Sequence, residues 1–288
     1  KDSILGIQRK IINREGIGNI LADGIMPAAK AIGRNSEHYA NQTKGLPFGS
    51  DYLSKEEIVP DKGTALSMVV SSRGDDMKAH ASILGEKGMA DKVWLMYEER
   101  TGDSVKAREN IAVARAKIKA VAGSETAAVA DSYEGKPEIT IWSEDFIIIN
   151  DSLSVCKMTG TFMGFPFDEN YEANLFSLGT GRVTSVADLF HFAKRIKNLE
   201  RGYNCREGMT RETDALPKRF MDNPVKTSEN TSSTLETHKF EAMKDRYYQL
   251  RGWDIVTGIP TRKTLEQYGL KYVADDLKRL GKLPKDSA

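Results

Sequence analysis

The chain has 288 residues, 40% apolar and 29% charged, with 42 Lys and Arg against 41 Asp and Glu for a net charge of +1. This is the composition of a globular protein of about two domains, and it excludes a collagen-like, wholly disordered or disulfide-scaffold chain. No global field exists to attract nucleic acid or an anionic membrane, and no uncharged apolar run approaches the ~18 residues of a membrane span. The two cysteines, Cys156 and Cys205, suit a reducing cytoplasm, which is the expected location. The chain opens on Lys1-Asp2-Ser3 and runs straight into a helical pattern, as expected of the C-terminal part of a longer protein.

Ile4, Ile7 and Ile11 predict a helix over 4–15, ended by Gly16. Residues 17–32 carry a second apolar stripe that Gly33 closes and Pro27 is expected to kink. Residues 33–63 have no helical period and read as a loop containing Lys44-Gly45-Leu46-Pro47. A helix is expected from Asp61 or Thr64, one from Asp91 into Val93–Tyr97, and a clearer one capped by Ser104 and carrying Ala107, Ile111, Ala114, Ile118 and Val121. Residues 124–137 are small and polar, a linker. Residues 139–149 fit strand or helix alike on periodicity. Ser185-x-x-Asp188 forms a capping box ahead of a long amphipathic run through Leu199. Residues 224–234 read as a loop, Phe240, Met243, Tyr247 and Leu250 as a helix, Thr261 as the cap of a short helix ended by Gly269, and the stretch to Leu280 as a last one. The fold class is mainly α, since no segment alternates convincingly as a strand.

Complete metal sites are not readable: neither cysteine sits in C-x-x-C, and no His lies three or four residues from another. No P-loop, G-x-G-x-x-G or G-x-S-x-G occurs, and Gly179-Thr180-Gly181-Arg182 alone is a weak anion-site signal. Four local patterns stand out: Ser71–Lys78; Asp151-Ser152-Leu153-Ser154-Val155-Cys156; Arg201–Arg211 with its continuation to Arg219; and Tyr247–Asp254 followed by Thr257-Gly258-Ile259-Pro260-Thr261.

Taken together these patterns resemble the C-terminal half of the aldehyde:ferredoxin oxidoreductase family of tungsten (or molybdenum) bis-pterin enzymes. The third and fourth are similar to that family's N-x-R-E-G-x-x-R-x-x-D-x-L-P-x-R and Y-Y-x-x-R-G-W-D…T-G-x-P-T. Arg14-Glu15-Gly16-Ile17-Gly18 with Leu21-Ala22-Asp23-Gly24, and Lys44-Gly45-Leu46, resemble two further motifs in the same order. The resemblance implies the C-terminal helical domains of that fold, divided at 1–60 and 61–288, with the family's N-terminal domain outside this chain.

It also implies site residues. In the family's D-x-x-G-L-C motif the Asp binds a pterin and the Cys is the fourth ligand of a 4Fe–4S cluster; Asp151 and Cys156 match them, with Ser154 and Val155 in place of Gly and Leu. Ser for Gly is the larger change, because a left-handed backbone costs a residue with a side chain energy. In the R-G-x-D-H-[LK]-[RK] stretch, Asp76 and Lys78 match the cofactor side, and Met77 stands where the family's His is expected. A thioether cannot transfer a proton. His80 is the candidate catalytic His in its stead, although two residues along a helix turn it ~200° away. The implied cofactors are a tungsten or molybdenum bis-pterin and a 4Fe–4S cluster. The implied partner is ferredoxin or an iron–sulfur electron-transfer subunit, in an oligomer. The implied reaction is aldehyde to carboxylic acid, with aromatic-ring reduction of the benzoyl-CoA reductase type as the alternative and a cofactor-free helical interaction protein as the reading from another class. Arg206, Glu207, Arg211 and Asp214 are expected to form a structural ion-pair network, Tyr247, Tyr248 and Trp253 to pack a core, and Cys205 to be a buried small side chain.

Overall fold

The computed structural model describes residues 2–47, 59–74, 98–155, 169–226 and 232–285. Helices dominate, as expected. They are α1 (Asp2–Ile12), α2 (Ile17–Leu21), α3 (Ile25–Ile32), α4 (Lys62–Val70), α5 (Ser104–Ala122), α6 (Lys136–Ser152), α7 (Glu169–Thr180), α8 (Val186–Arg206), α9 (Lys218–Asp222), α10 (Thr237–Arg251), α11 (Arg262–Gln267) and α12 (Lys271–Arg279). Two short antiparallel hairpins accompany them: β1 (Gln42–Thr43) with β2 (Leu46–Pro47), and β3 (Val225–Lys226) with β4 (Ser232–Ser233).

Several local expectations are corrected. Residues 17–32 are two helices that part at Gly24 (φ 96°), not one helix kinked at Pro27. Pro27 sits in the first turn of α3, where its missing N–H has no intrahelical partner to lose. Asp103, not Ser104, caps α5, because its carboxylate reaches the Lys106 N–H (2.9 Å). The apolar stripe of α1 is exposed, with Ile4 at 64% and Ile12 at 79%. The stretch 33–47 is not all loop: Lys44 (φ 53°) and Gly45 (φ 85°) are the two left-handed residues of the tight turn between β1 and β2. Helix α7 was not expected at all. The expected helix from Asp91 lies outside the described residues.

The capping box at Ser185 forms as expected. The Ser185 hydroxyl accepts from the Asp188 N–H (3.2 Å), and the Asp188 carboxylate accepts from the Ser185 N–H (2.9 Å). Asp61 caps α4 by accepting from the Gly63 and Thr64 N–H groups.

Helix α6 is the axis of the molecule, packing against α4, α5, α7, α8 and α10. This settles the ambiguity of 139–149 in favour of a helix buried nearly all round. Helices α8 and α12 close in at a glycine: a Cβ on Gly202 of α8 would lie 2.5 Å from Val273 of α12. The largest core cluster joins Leu66, Val69 and Val70 of α4 to Phe220, Phe240, Tyr247, Tyr248 and Trp253.

Candidate functional site

Asp151 lies in the last turn of α6, where the helix dipole disfavours a carboxylate. Its side chain is exposed. The helix stops just beyond it in a Schellman turn. The Ser154 N–H donates to the Asp151 carbonyl (3.1 Å), and the Val155 N–H donates to the Asn150 carbonyl (2.9 Å). Such a turn needs a left-handed residue, and Ser154 supplies it at φ 58°. The substitution of Ser for Gly therefore keeps the left-handed geometry. It does so at a cost, so Ser154→Gly should stabilise the protein by about 1 kcal/mol, read as a rise in the urea midpoint at unchanged slope. Cys156, the residue this turn leads into, lies outside the described residues.

The Arg73-Gly74 segment leaves α4 through a turn held by Ser71. Its hydroxyl accepts from the Gly74 N–H (2.9 Å) and donates to the Gly74 carbonyl (2.6 Å). Gly74 (φ 91°) is pressed onto the β1 strand so closely that a Cβ would sit 2.3 Å from the Thr43 carbonyl oxygen. From α8, Asn204 donates to the Ser72 carbonyl (2.6 Å) and Glu200 accepts from the Ser72 hydroxyl (2.5 Å). The segment enters its next residues from a fixed frame. Asp76, Met77, Lys78 and His80 lie outside the described residues.

Two buried charge centres support this frame. In the first, Asp214 accepts from Arg201 (3.0 Å) and Tyr248 (2.5 Å) and pairs with Lys44 (2.9 Å). Lys44 also donates to the Val69 and Ser71 carbonyls, so a left-handed turn residue plugs the end of α4. Arg201 donates to the Gly258 carbonyl (2.9 Å) and lies over the Trp253 ring at 4.8 Å. Burial pushes Asp214 up, but Arg201 and Lys44 outweigh it and hold the carboxyl below its usual range. Burial lowers Lys44 to about 8 against the opposing pull of Asp214. In the second centre, Glu144 accepts from Lys197 (2.8 Å), Arg251 (2.8 Å) and Tyr247, while Asp145 accepts from Arg251 (2.6 Å). These contacts tie α6 to α8 and α10.

The ion-pair network expected among Arg206, Glu207, Arg211 and Asp214 does not form; of these four only Arg206 and Glu207 pair with each other. Arg206 pairs with Glu207 at the surface, Arg211 with Glu241 and Asp245, and Asp214 with Arg201 and Lys44 in the interior. Tyr247, Tyr248 and Trp253 pack as core aromatics, with Tyr247 edge-on to Trp253 at 5.7 Å. Cys205 is the buried small side chain expected, its thiol pushed up by burial against the pull of Arg201. His191 and His238 are exposed, His191 beside Tyr268. Glu144 and Asp145 were missed in the sequence. Their signal was two adjacent acids inside an apolar run, since buried acids need partners. Among the described residues no group of three or more His, Cys, Asp or Glu is placed to hold a metal ion, and no helix is long and apolar enough to cross a membrane.

The model of the aldehyde ferredoxin oxidoreductase family, domains 2 & 3, matches residues 1–270. The chain belongs to this family. Similar proteins include the tungsten-containing aldehyde ferredoxin oxidoreductases of Pyrococcus furiosus (30% identical over 141 residues) and Pyrococcus horikoshii (29% over 142 residues). Each alignment covers 49% of this chain and 22% of the relative, so the matched part spans about a fifth of those enzymes. Among solved structures, the active site complex BamBC of benzoyl coenzyme A reductase in complex with 1,5-dienoyl-CoA matches with a TM-score of 0.61 and 24% identity, over 97% of this chain and 40% of that one. At that identity the likeness is one of fold. Trp253, the Gly258 carbonyl and Asp214 build the buried centre around Arg201, Arg251 belongs to the centre at Glu144 and Asp145, and the Asp151 and Ser154 side chains are exposed.

Proposed function

We propose that this chain is the C-terminal helical part of a low-potential oxidoreductase with a tungsten (or molybdenum) bis-pterin centre and a 4Fe–4S cluster, residues 1–60 closing one helical domain and 61–288 forming the next. The observation that carries the reading is the turn at the end of α6. An exposed acid sits where the helix alone disfavours one, and a left-handed residue three positions on folds the chain back just before Cys156. An exposed carboxylate fits the N–H donors of a pterin, and a thiolate suits iron.

Asp151 accepts from the pterin edge and orients it. Ser154 and Val155 direct the chain toward Cys156, the assigned cluster ligand. Asp76 and Lys78 are assigned to the same cofactor, and His80 to proton transfer on the substrate side. When bound, the metal–pterin group supplies the electron chemistry, and the protein supplies binding, orientation and exclusion of water. Ferredoxin or an iron–sulfur subunit is the assigned electron partner of a cytoplasmic oligomer, and oxidation of an aldehyde to a carboxylic acid is the assigned reaction. A second reading, reduction of an aromatic-ring thioester, is favoured by Met77 standing where the family's His is expected, because a thioether carries no transferable proton.

The test is metal, pterin and spectroscopic analysis of the full-length enzyme made anaerobically. Cys156→Ala should lose or degrade the 4Fe–4S signal and Cys205→Ala should preserve it. Asp151→Ala should lower pterin and tungsten content about tenfold or more, the worth of one hydrogen bond to a charged group. Unchanged content in Asp151→Ala, or a signal that depends on Cys205 instead, overturns the assignments. A wild-type protein with neither tungsten nor iron overturns the enzyme reading in favour of a helical interaction protein.

A further inference from the structure

The Gly179-Thr180-Gly181-Arg182 turn has no part in the site described above. It closes α7: the Gly181 N–H donates to the Ser177 carbonyl (2.9 Å), and Gly181 (φ 71°) takes the left-handed conformation that reverses the chain toward α8. Arg182 then stands on the wall of a cavity of about 320 Å³ between α6, α7 and α8. Ile148 and Ile149 of α6, Leu153 just past it, Phe176 of α7, and Leu189 and Phe192 of α8 form most of that wall. Ile148, Ile149 and Leu189 belong to the buried core, whereas Phe192 is 58% exposed and marks the outer end of the cavity.

Four polar residues also line the cavity, and three of them are committed elsewhere. The Ser152 hydroxyl donates to the Ile148 carbonyl (2.7 Å), and the Thr184 hydroxyl donates to the Arg182 carbonyl (3.1 Å). Asp188 accepts from the Ser185 N–H (2.9 Å) and hydroxyl (2.6 Å), and its charge lies in the first turn of α8, where the helix dipole balances it. The fourth is Arg182, whose guanidinium has no hydrogen-bond or ion-pair partner among the described residues. Water inside would find few free polar partners, so the interior favours an apolar guest. Arg182 adds a call for one negative charge. Its fork holds a carboxylate by two parallel hydrogen bonds. One cation also matches a carboxylate better than the near-double charge of a phosphate monoester. At about 30 Å³ for each water-sized group, the cavity has room for about ten non-hydrogen atoms.

We propose that this cavity binds a medium-chain alkyl carboxylate of about eight carbons, its chain among Ile148, Leu153, Phe176 and Leu189 and its carboxylate on the Arg182 guanidinium. No residue assigned above to the metal–pterin group or the cluster lines this cavity. Its test reads binding and not turnover, so the site stands or falls separately from the tungsten–pterin reading.

Titration calorimetry on the full-length protein tests it with octanoate, with octanamide, which keeps the chain and loses the charge, and with butyrate, which keeps the charge and loses four methylenes. Octanoate should bind saturably at one site. Octanamide should bind about tenfold or more weaker, the worth of a hydrogen bond between charged groups. Butyrate should bind about a hundredfold or more weaker, the worth of the missing buried methylenes. Arg182→Gln should bring octanoate down to the affinity of octanamide and leave octanamide itself unchanged. The melting temperature should not move, since this exposed side chain holds no other element in place. Absence of saturable octanoate binding to the wild type overturns the proposal. Equal affinity for octanoate and either other compound, or octanoate binding that survives Arg182→Gln undiminished, does the same.

Discussion

Asp214→Asn should destabilise the protein by about 3–5 kcal/mol, because it leaves two buried cations without their counter-charge. Arg201 is 2% exposed and Lys44 has 4% of its side chain exposed, so neither can recover its hydration without moving. Asn also interrupts the Tyr248 hydrogen bond, and Lys44 holds the end of α4 through the Val69 and Ser71 carbonyls. The loss should therefore spread to the turn that carries Arg73 and Gly74. Urea unfolding gives the magnitude, and its pH dependence gives the cause. The folded-state pKa of Asp214 is depressed, so its contribution is present above the unfolded carboxyl value of ~3.9 and fades as pH falls through the folded one. The gap between wild type and variant should be widest near neutrality and close in acid. A gap that is constant down to low pH would mean that packing, not charge, is lost.

Arg251→Met should be of similar size, about 3–5 kcal/mol at neutral pH, with the pH slope carried by the variant rather than by the wild type. Arg251 is the only cation within hydrogen-bonding distance of Asp145 among the described residues, whereas Glu144 keeps Lys197 and Tyr247. Burial already raises the Asp145 pKa, and removing Arg251 removes its main opposition. A group whose folded pKa is raised binds protons more readily folded than unfolded, so stability falls as pH rises through that interval. The variant should come closest to wild type on the acid side and fall furthest behind at higher pH. Both gaps thus close in acid, but for different reasons: in the first the wild type loses the Asp214 charge, and in the second the variant's Asp145 takes up a proton, so the pH slope lies in the wild type in one case and in the variant in the other.

Much of the chain was legible locally. Asp61, Ser185 and Thr261 mark helix starts by side chains that accept from the first-turn N–H groups, and each does so in the structure. The long period-3.6 runs in 104–122 and 186–206 formed as helices because each repeats its apolar spacing for several turns. The order of the motifs was enough to place the chain in its family.

What the chain could not express locally is which residues meet. Residues 139–149 became helix because α6 is enclosed by five other helices, and a segment buried on every side has no polar face to set its period. Lys44 meets Asp214 across 170 positions, and Glu144 meets Lys197 and Arg251 across 53 and 107. No sequence spacing records such pairs. The left-handed turn at Ser154 ran against local preference and was kept because two backbone hydrogen bonds close around it. Caps, periods and motif order depend on neighbours within a turn or two and are written in the sequence. The charge centres and the frame under Gly74 depend on distant segments burying one another, and only the tertiary structure decides them.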